Sequence, residues 1–263
     1  MAFLLKRKHP SGGLHRVITS GLRNNMTDKI FITGNSSGLG LGLTKVHLES
    51  GASVYGLSRR GCPLKNERLH DHRVDLSTLD SIAPRLDDLL SGVDTLTAMY
   101  LNAGILGQMR LMHDTPVKDL QDIMISNVWS NKIILDWLIG SGIRVDQIVL
   151  ISSGASVSGG KGWAGYSISK AALNMLGQLY AHELPESHLI SLAPGLIDTA
   201  MQAYISNPEN IDTAQFPGFD RLRQARGTDA MPGPEQAARS IVEALPRLTQ
   251  FPSGGFVDIR ELG

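Results

Sequence analysis

Tyr166 and Lys170 stand four residues apart in the run Y-S-I-S-K, and Ser153 lies thirteen residues before the tyrosine. On a helix, positions i and i+4 share a face, which brings an ammonium beside a phenol. A nearby cation favours phenolate and should draw the tyrosine pKa down from its unperturbed ~10. A phenol tuned in this way can give or take a proton during chemistry on a carbonyl or an alcohol. Ser153 closes the apolar run I-V-L-I-S-S, which reads as a buried parallel strand. Its hydroxyl should therefore project from the carboxyl edge of a sheet, where open α/β folds bind ligands. By itself the Tyr–Lys spacing also describes any solvated helix face, so the trio needs support from elsewhere in the chain.

A second signature lies upstream in T-G-N-S-S-G-L-G, residues 33–40. It follows the strand-like K-I-F-I and precedes L-G-L-T-K-V-H-L-E, whose apolar spacing is helical. That strand–turn–helix setting is the one a dinucleotide loop requires. Gly34, Gly38 and Gly40 let the backbone turn tightly and approach a pyrophosphate, and the helix start supplies unpaired N–H groups. The same residues contain G-x-S-x-G around Ser36, the form of a hydrolase nucleophile elbow. A hydrolase would need a downstream acid and then a histidine. The last histidine, His188, opens a predicted strand far from the C-terminus, so ester cleavage is the weaker reading.

The elements that must position these groups follow from the rest of the chain. Its 263 residues suffice for one large domain with a substantial core. A hydrophobic content of 42% with 19% charge describes a globular chain. Cys62 is the only cysteine, so an internal disulfide is excluded. No Cys/His/Asp/Glu spacing suggests a metal site; His70 and His72, in H-D-H-R, read as a solvated strand edge. No apolar run is long enough to span a membrane. The net charge is zero, but residues 1–25 carry Lys6, Arg7, Lys8, Arg16 and Arg23 and no acid. Taking those five from 25 basic residues leaves 20 against 25 acidic ones, which argues against a nucleic-acid surface. Residues 1–25 are expected to be a basic, flexible extension without a catalytic part, and a cytoplasmic location is expected.

From residue 29 onward strand-like runs alternate with helical ones. Strands are predicted at 29–33, 53–58, 72–76, 95–102, 147–153, 188–193 and 255–259. This alternation implies an α/β fold, a doubly wound parallel sheet of Rossmann type in the order 3-2-1-4-5-6-7, with helices on both faces. Residues 26–263 are expected to form this single domain. Residues 196–233 interrupt the rhythm with several prolines and glycines, and a long insertion at the carboxyl edge is where a substrate lid is expected.

With these motifs in order, the chain resembles the short-chain dehydrogenase/reductase family from about Lys29 to its end. Thr33, Gly34, Ser36, Ser37, Gly38, Leu39 and Gly40 match the family's cofactor loop. Asp75 and Leu76, in V-D-L-S, match the segment that meets the adenine ring. Asn102-Ala103-Gly104 matches the N-A-G ending the fourth strand. Asn127, Ser153, Tyr166 and Lys170 match the catalytic tetrad. Pro194 and Gly195, with Ile197 and Thr199, match the P-G-x-x-x-T beside the nicotinamide. The resemblance implies that Tyr166 and Lys170 also contact the cofactor. Asn127 falls on the apolar stripe of a predicted helix, where a buried amide must find partners; the family role is to hold a water linked to Lys170.

Cofactor choice is argued from charge. NAD enzymes end the second strand with an acid for the ribose 2′-hydroxyl, whereas here V-Y-G-L-S-R-R places Ser58 there, followed by Arg59. A hydroxyl and a guanidinium suit a 2′-phosphate, which predicts NADP(H), with Arg60 as a possible helper or a solvated neighbour. Residues 193–202, A-P-G-L-I-D-T-A-M-Q, and the ending S-G-G-F-V-D-I-R-E-L are similar to sepiapterin reductases and bacterial benzil reductases. That narrower resemblance implies a small-molecule carbonyl substrate (a diketone or a pterin side-chain ketone) meeting Ser153, Trp163, Met201 and Asp258. The family also implies a homodimer or homotetramer, with no nucleic-acid, membrane or metal partner. A same-family dehydrogenase of another alcohol and a non-catalytic NADPH sensor are the alternatives.

Overall fold

The computed structural model describes residues 27–262 apart from 208 and 213. The basic extension proposed at residues 1–25 lies outside the described residues. Seven strands form one parallel sheet: β1 (Lys29–Thr33), β2 (Ser53–Ser58), β3 (Leu69–Arg73), β4 (Thr95–Leu101), β5 (Arg144–Ile151), β6 (His188–Ala193) and β7 (Gly255–Asp258). Their order is β3-β2-β1-β4-β5-β6-β7, as the alternation of elements implies. The chain builds outward from β1 to β3, then returns to lay β4 on the other side of β1. The connections leaving β1 and β4 therefore diverge, and a crevice opens at their carboxyl ends.

The inner strands read as unbroken apolar runs because both their faces are covered. Along β1 the side chains alternate between two cores. Ile30 and Ile32 pack with Leu43 and Val46 of α1 (Gly38–Glu49) and with Ala238 and Ile241 of a second helix, at 234–248. Phe31 packs on the other side. There it meets α2 (Ile82–Leu89), then, beyond α3 (Val117–Met124), α4 (Ser130–Ser141) and α5 (Ala164–Glu183). The remaining helices are α6 (Ala200–Ser206), α7 (Gly218–Ala225) and α8 (Pro234–Leu248), the last being that second helix. A Cβ on Gly42 would fall 2.4 Å from the Pro234 carbonyl oxygen, so only glycine allows α1 and α8 to approach this closely. Gly177 faces the sheet against Leu150 and Leu189, so its small size serves that packing.

Strand limits differ from expectation in one instructive place. The third strand runs over Leu69–Arg73 and not 72–76; it pairs Leu69 with Val54 and Arg73 with Ser58. As an edge strand with partly exposed faces it has a polar sequence, L-H-D-H-R. The alternating V-D-L after it belongs to the loop that folds over the sheet end, burying Val74 and Leu76. His70 stacks on Tyr55 and His72 pairs with Asp88. The fourth, fifth and seventh strands stop one or two residues early, which leaves Asn102 and Ser153 in loops at the carboxyl edge and Ile259 at the start of a 3-10 turn, Ile259–Leu262. Among the described residues no helix is long and apolar enough to cross a membrane.

Candidate active site

All four residues of the expected tetrad converge on this edge. Three of them, Ser153, Tyr166 and Lys170, line a cleft of about 1020 Å³, together with the glycine loop, Asn102–Gly104 and the 194–202 segment. Tyr166 and Lys170 rise one turn apart on α5, and Asn174 continues the same face a turn later. The Asn174 side chain accepts a bond from the Ser152 hydroxyl (2.6 Å) and donates one to Ser156 Oγ (2.8 Å). It thus grips the loop on both sides of Ser153, a positioning role that its place in the sequence, two turns beyond Tyr166, could have suggested. The Ser153 hydroxyl accepts the Ala155 N–H at 3.2 Å and is hydrogen-bonded to the Tyr166 phenol.

Lys170 is only 4% exposed. Its Nζ donates to the Ile151 carbonyl at 2.7 Å and lies 5.8 Å from the Tyr166 ring centroid. Burial in this dry setting draws its pKa down from 10.5 to about 8. The expected lowering of the Tyr166 pKa is not found. Burial pushes the phenol above its usual value, and the bond with Ser153 offsets only part of this. The lysine proton donor is already directed at a backbone carbonyl, and the phenol has lost most of its solvent.

Asn127 is fully buried within a single π-helical turn, Ile125–Trp129, between α3 and α4. Such turns break the i−4 ladder and recur at functional sites. The side chains of Ser130 and Asn131 donate back to the carbonyls of Ser126 and Asn127, both at 2.8 Å. The Asn127 amide accepts the Ile105 N–H (2.7 Å) and donates to the Ile105 carbonyl (2.9 Å) and to Ser169 Oγ (3.0 Å). It therefore fastens the chain after Gly104 to α5, beside Lys170. A Cβ on Gly104 would sit 3.2 Å from Asn127 Oδ1 and 3.5 Å from Lys170 Nζ.

The other end of the cleft suits a dinucleotide. Gly34 and Gly38 have φ of 74° and 55°, left-handed values that favour glycine. A Cβ on Gly40 would strike the Gly34 carbonyl oxygen at 2.3 Å. Helix α1 begins at Gly38 with no acid in its first turn and no side-chain bond from Ser37 to its N–H groups, so these remain available to an anion. Thr33 Oγ1 accepts the N–H groups of Asn102 and Ala103 at 2.9 and 3.0 Å, tying the two carboxyl-end loops together. Leu39, Leu76, Pro194, Gly195, Ile197 and Thr199 line the same cleft.

Ser58 lines the cleft at the end of β2 beside Arg59 and Arg60, and its buried Oγ has no hydrogen-bond partner. Arg59 lies 4.0 Å from Asp75, whose carboxyl is held below its usual range mainly by bonds from Ser77, with Arg59 contributing less. Arg60, left open between a helper and a solvated neighbour, donates to Ser37 Oγ at 2.7 Å and so reaches across to the glycine loop.

The elbow reading of Ser36 finds no base. Its hydroxyl meets Arg60 at 3.5 Å, while His188 sits at the start of β6, at the opposite edge, bonded to the Phe251 carbonyl.

Trp163 and Met201 flank the chemistry. Trp163 stacks on Phe219 with ring centroids 5.0 Å apart and lies 5.7 Å from the Tyr166 ring; with Phe216, Ile205 and Met201 they form a third apolar cluster under α6 and α7. Asp258 reaches the cleft, but its carboxylate is engaged. Arg260 donates to it through Nε (2.8 Å) and Nη2 (2.5 Å), and its backbone N–H adds a third bond at 3.1 Å. Arg260 itself lines the cleft and carried no distinguishing signal in the sequence.

Comparison with known proteins gives the family and the fold. Residues 28–210 match the family model for short chain dehydrogenase. A benzil reductase ((S)-benzoin forming) of Bacillus subtilis is 28% identical over 247 residues, covering 88% of this chain and 97% of its own. A crystal structure of a short chain dehydrogenase/reductase from Saccharomyces cerevisiae superposes with a TM-score of 0.76 at 22% identity, covering 88% of this chain and 96% of that one. Another, from Burkholderia multivorans with bound NADP, gives 0.68 at 22% identity and covers 89% and 97%.

Proposed function

The chain belongs to the short chain dehydrogenase family, and on that premise we propose that it is an NADPH-dependent carbonyl reductase acting on a diketone or a similar small ketone. The observation that carries this reading is the grouping of Tyr166, Ser153 and the buried Lys170 along one cleft, with the Lys170 Nζ 5.8 Å from the Tyr166 ring centroid. The phenol is protonated at neutral pH and is placed to act as the acid. Ser153 donates a hydrogen bond to the substrate carbonyl oxygen and orients it toward that phenol. A dinucleotide held by the Gly34–Gly40 loop would supply the hydride for the carbonyl carbon. Tyr166 gives its proton to the oxygen as negative charge develops there. Lys170, held by the Ile151 carbonyl, places a cation beside the tyrosine and stabilises the phenolate left behind. Asn127 holds the backbone after Gly104 in register with Lys170 and supports reprotonation through a water.

Ser58, Arg59 and Arg60 form the proposed 2′-phosphate site, supported by the unpartnered Ser58 hydroxyl. Asp75 and Leu76 would meet the adenine, and the Gly34–Gly40 loop the pyrophosphate. Residues 196–233 act as the substrate lid. The exposed apolar side chains Ile168, Met175 and Leu179 on α5 support a homo-oligomer; a monomer mass by light scattering would exclude it. The central test is oxidation of NADPH and NADH in the presence of benzil, sepiapterin and simple aldehydes, with Tyr166→Phe alongside. NADPH should be preferred, and the variant should lose about 10²–10⁴ in turnover while still binding NADPH. Near-normal turnover by the variant would refute the assignment.

A further inference from the structure

Asp258 and Arg260 form an ion pair whose two ends face different surroundings. The Asp258 side chain is nine-tenths buried, whereas that of Arg260 is 64% exposed. Both carboxylate oxygens are taken up by the guanidinium, and the carboxyl is held below its usual range by that bond. With three of its roughly four acceptor positions filled by Arg260, the carboxylate has little left with which to anchor the amino groups of a substrate. The guanidinium has five N–H donors in a fixed fork, and Asp258 uses one edge. The remaining donors, two on Nη1 and one on Nη2, lie outside the ion pair, and Arg260 lines the cleft. Arg260 Nη2 lies 3.9 Å from where a Cβ on Gly154 would stand, next to Ser153. A donor set held rigid by a buried partner is pre-organised to meet an oxygen acceptor at little entropic cost.

We propose that Arg260, positioned by Asp258, is a specificity-determining residue that takes a second oxygen acceptor of the substrate, such as the neighbouring carbonyl of a 1,2-diketone. This rests on the carbonyl-reductase reading above and narrows it. The site selects a dicarbonyl and disfavours a substrate that presents N–H donors, such as a pterin.

The test compares benzil with deoxybenzoin, which has the same skeleton with one carbonyl replaced by a methylene, and adds sepiapterin. Arg260→Met should lower the benzil-to-deoxybenzoin ratio of kcat/KM by about tenfold or more, through KM more than kcat, as expected for losing a charge-assisted bond to the substrate. The same change frees the Asp258 carboxylate, so the KM for sepiapterin should fall. Asp258→Asn combined with Arg260→Met removes both charges; it should lose the benzil preference without the sepiapterin gain. Arg260→Lys keeps the cation but lacks the fork, and should recover only part of the ratio. Melting temperatures identify variants that fail to fold, and Arg260→Lys then carries the test alone. Wild-type turnover with an unaltered ratio across the folded variants would overturn the role of Arg260 only. No wild-type turnover on any of the three would overturn the proposed function together with this inference.

Discussion

Replacing Lys170 with methionine should make the protein more stable while removing its activity. The ammonium is buried, and its pKa of about 8 against the ordinary 10.5 measures the cost of that burial. At about 1.4 kcal/mol for each tenfold change in proton affinity, this is roughly 3 kcal/mol. Methionine has a similar length and no charge, but it leaves the Ile151 carbonyl without its donor, at a cost of about 1 kcal/mol. The net gain of about 2 kcal/mol corresponds to a melting point about 4–8 °C higher for a chain of this size. The pH dependence gives the sharper check. Below pH 8 the folded and unfolded chains both hold the proton, and wild type bears the full cost. Between 8 and 10.5 the unfolded chain retains a proton that the folded one has lost, so this group makes wild-type stability rise with pH. The gap between variant and wild type should therefore be widest near pH 7 and close as pH rises toward 10.5. Differential scanning fluorimetry of both proteins without cofactor, from pH 6.5 to 9.5, measures it. A variant melting below wild type at pH 7, or a gap that stays constant with pH, would refute the reasoning.

Two substitutions probe the cofactor end. Ser58→Asp puts a carboxylate at a cleft-lining position whose hydroxyl is unpartnered; the ratio of kcat/KM for NADPH over NADH should fall by about 10²-fold or more, and an unchanged ratio would dismiss Ser58 as the discriminating position. Gly40→Ala would force its Cβ to 2.3 Å from the Gly34 carbonyl oxygen. The loop must then open, so NADPH binding followed by fluorescence should weaken by at least about tenfold while the fold persists; full affinity would mean that the loop does not cradle the dinucleotide.

The alternation of strands and helices, the pairing of Tyr166 with Lys170 and the placing of Ser153 at a strand end were legible from local rules, whereas the grouping with Asn127 was implied by the family resemblance. Unbroken apolar runs mark strands covered on both faces, and spacings of three and four mark helix faces. What escaped depends on neighbours distant in the chain. The third strand was displaced because an edge strand has less to bury, and H-D-H-R satisfies that position better than V-D-L. The Tyr166 pKa was misjudged because proximity on a helix says nothing of solvent, and desolvation outweighed the neighbouring charge. The resemblance implies that Asp258 meets the substrate, whereas its carboxylate is held by Arg260, only two residues away. The fork between them depends on how the chain turns after β7. Asn174 and the π turn around Asn127 act through backbone atoms of other segments, which side-chain patterns do not display.

The aromatic cluster under α6 and α7 has a consequence for how this scaffold could diversify. Tyr166 is both the proposed acid and a member of the cluster that seats Trp163, Phe216 and Phe219. Trimming these rings to admit bulkier ketones removes the wall against which the phenol rests. The gain in breadth then brings a looser proton donor and a wetter site. New specificities are reached more cheaply at the rim formed by residues 258–260, where side chains can change without disturbing the acid, than by hollowing out the roof.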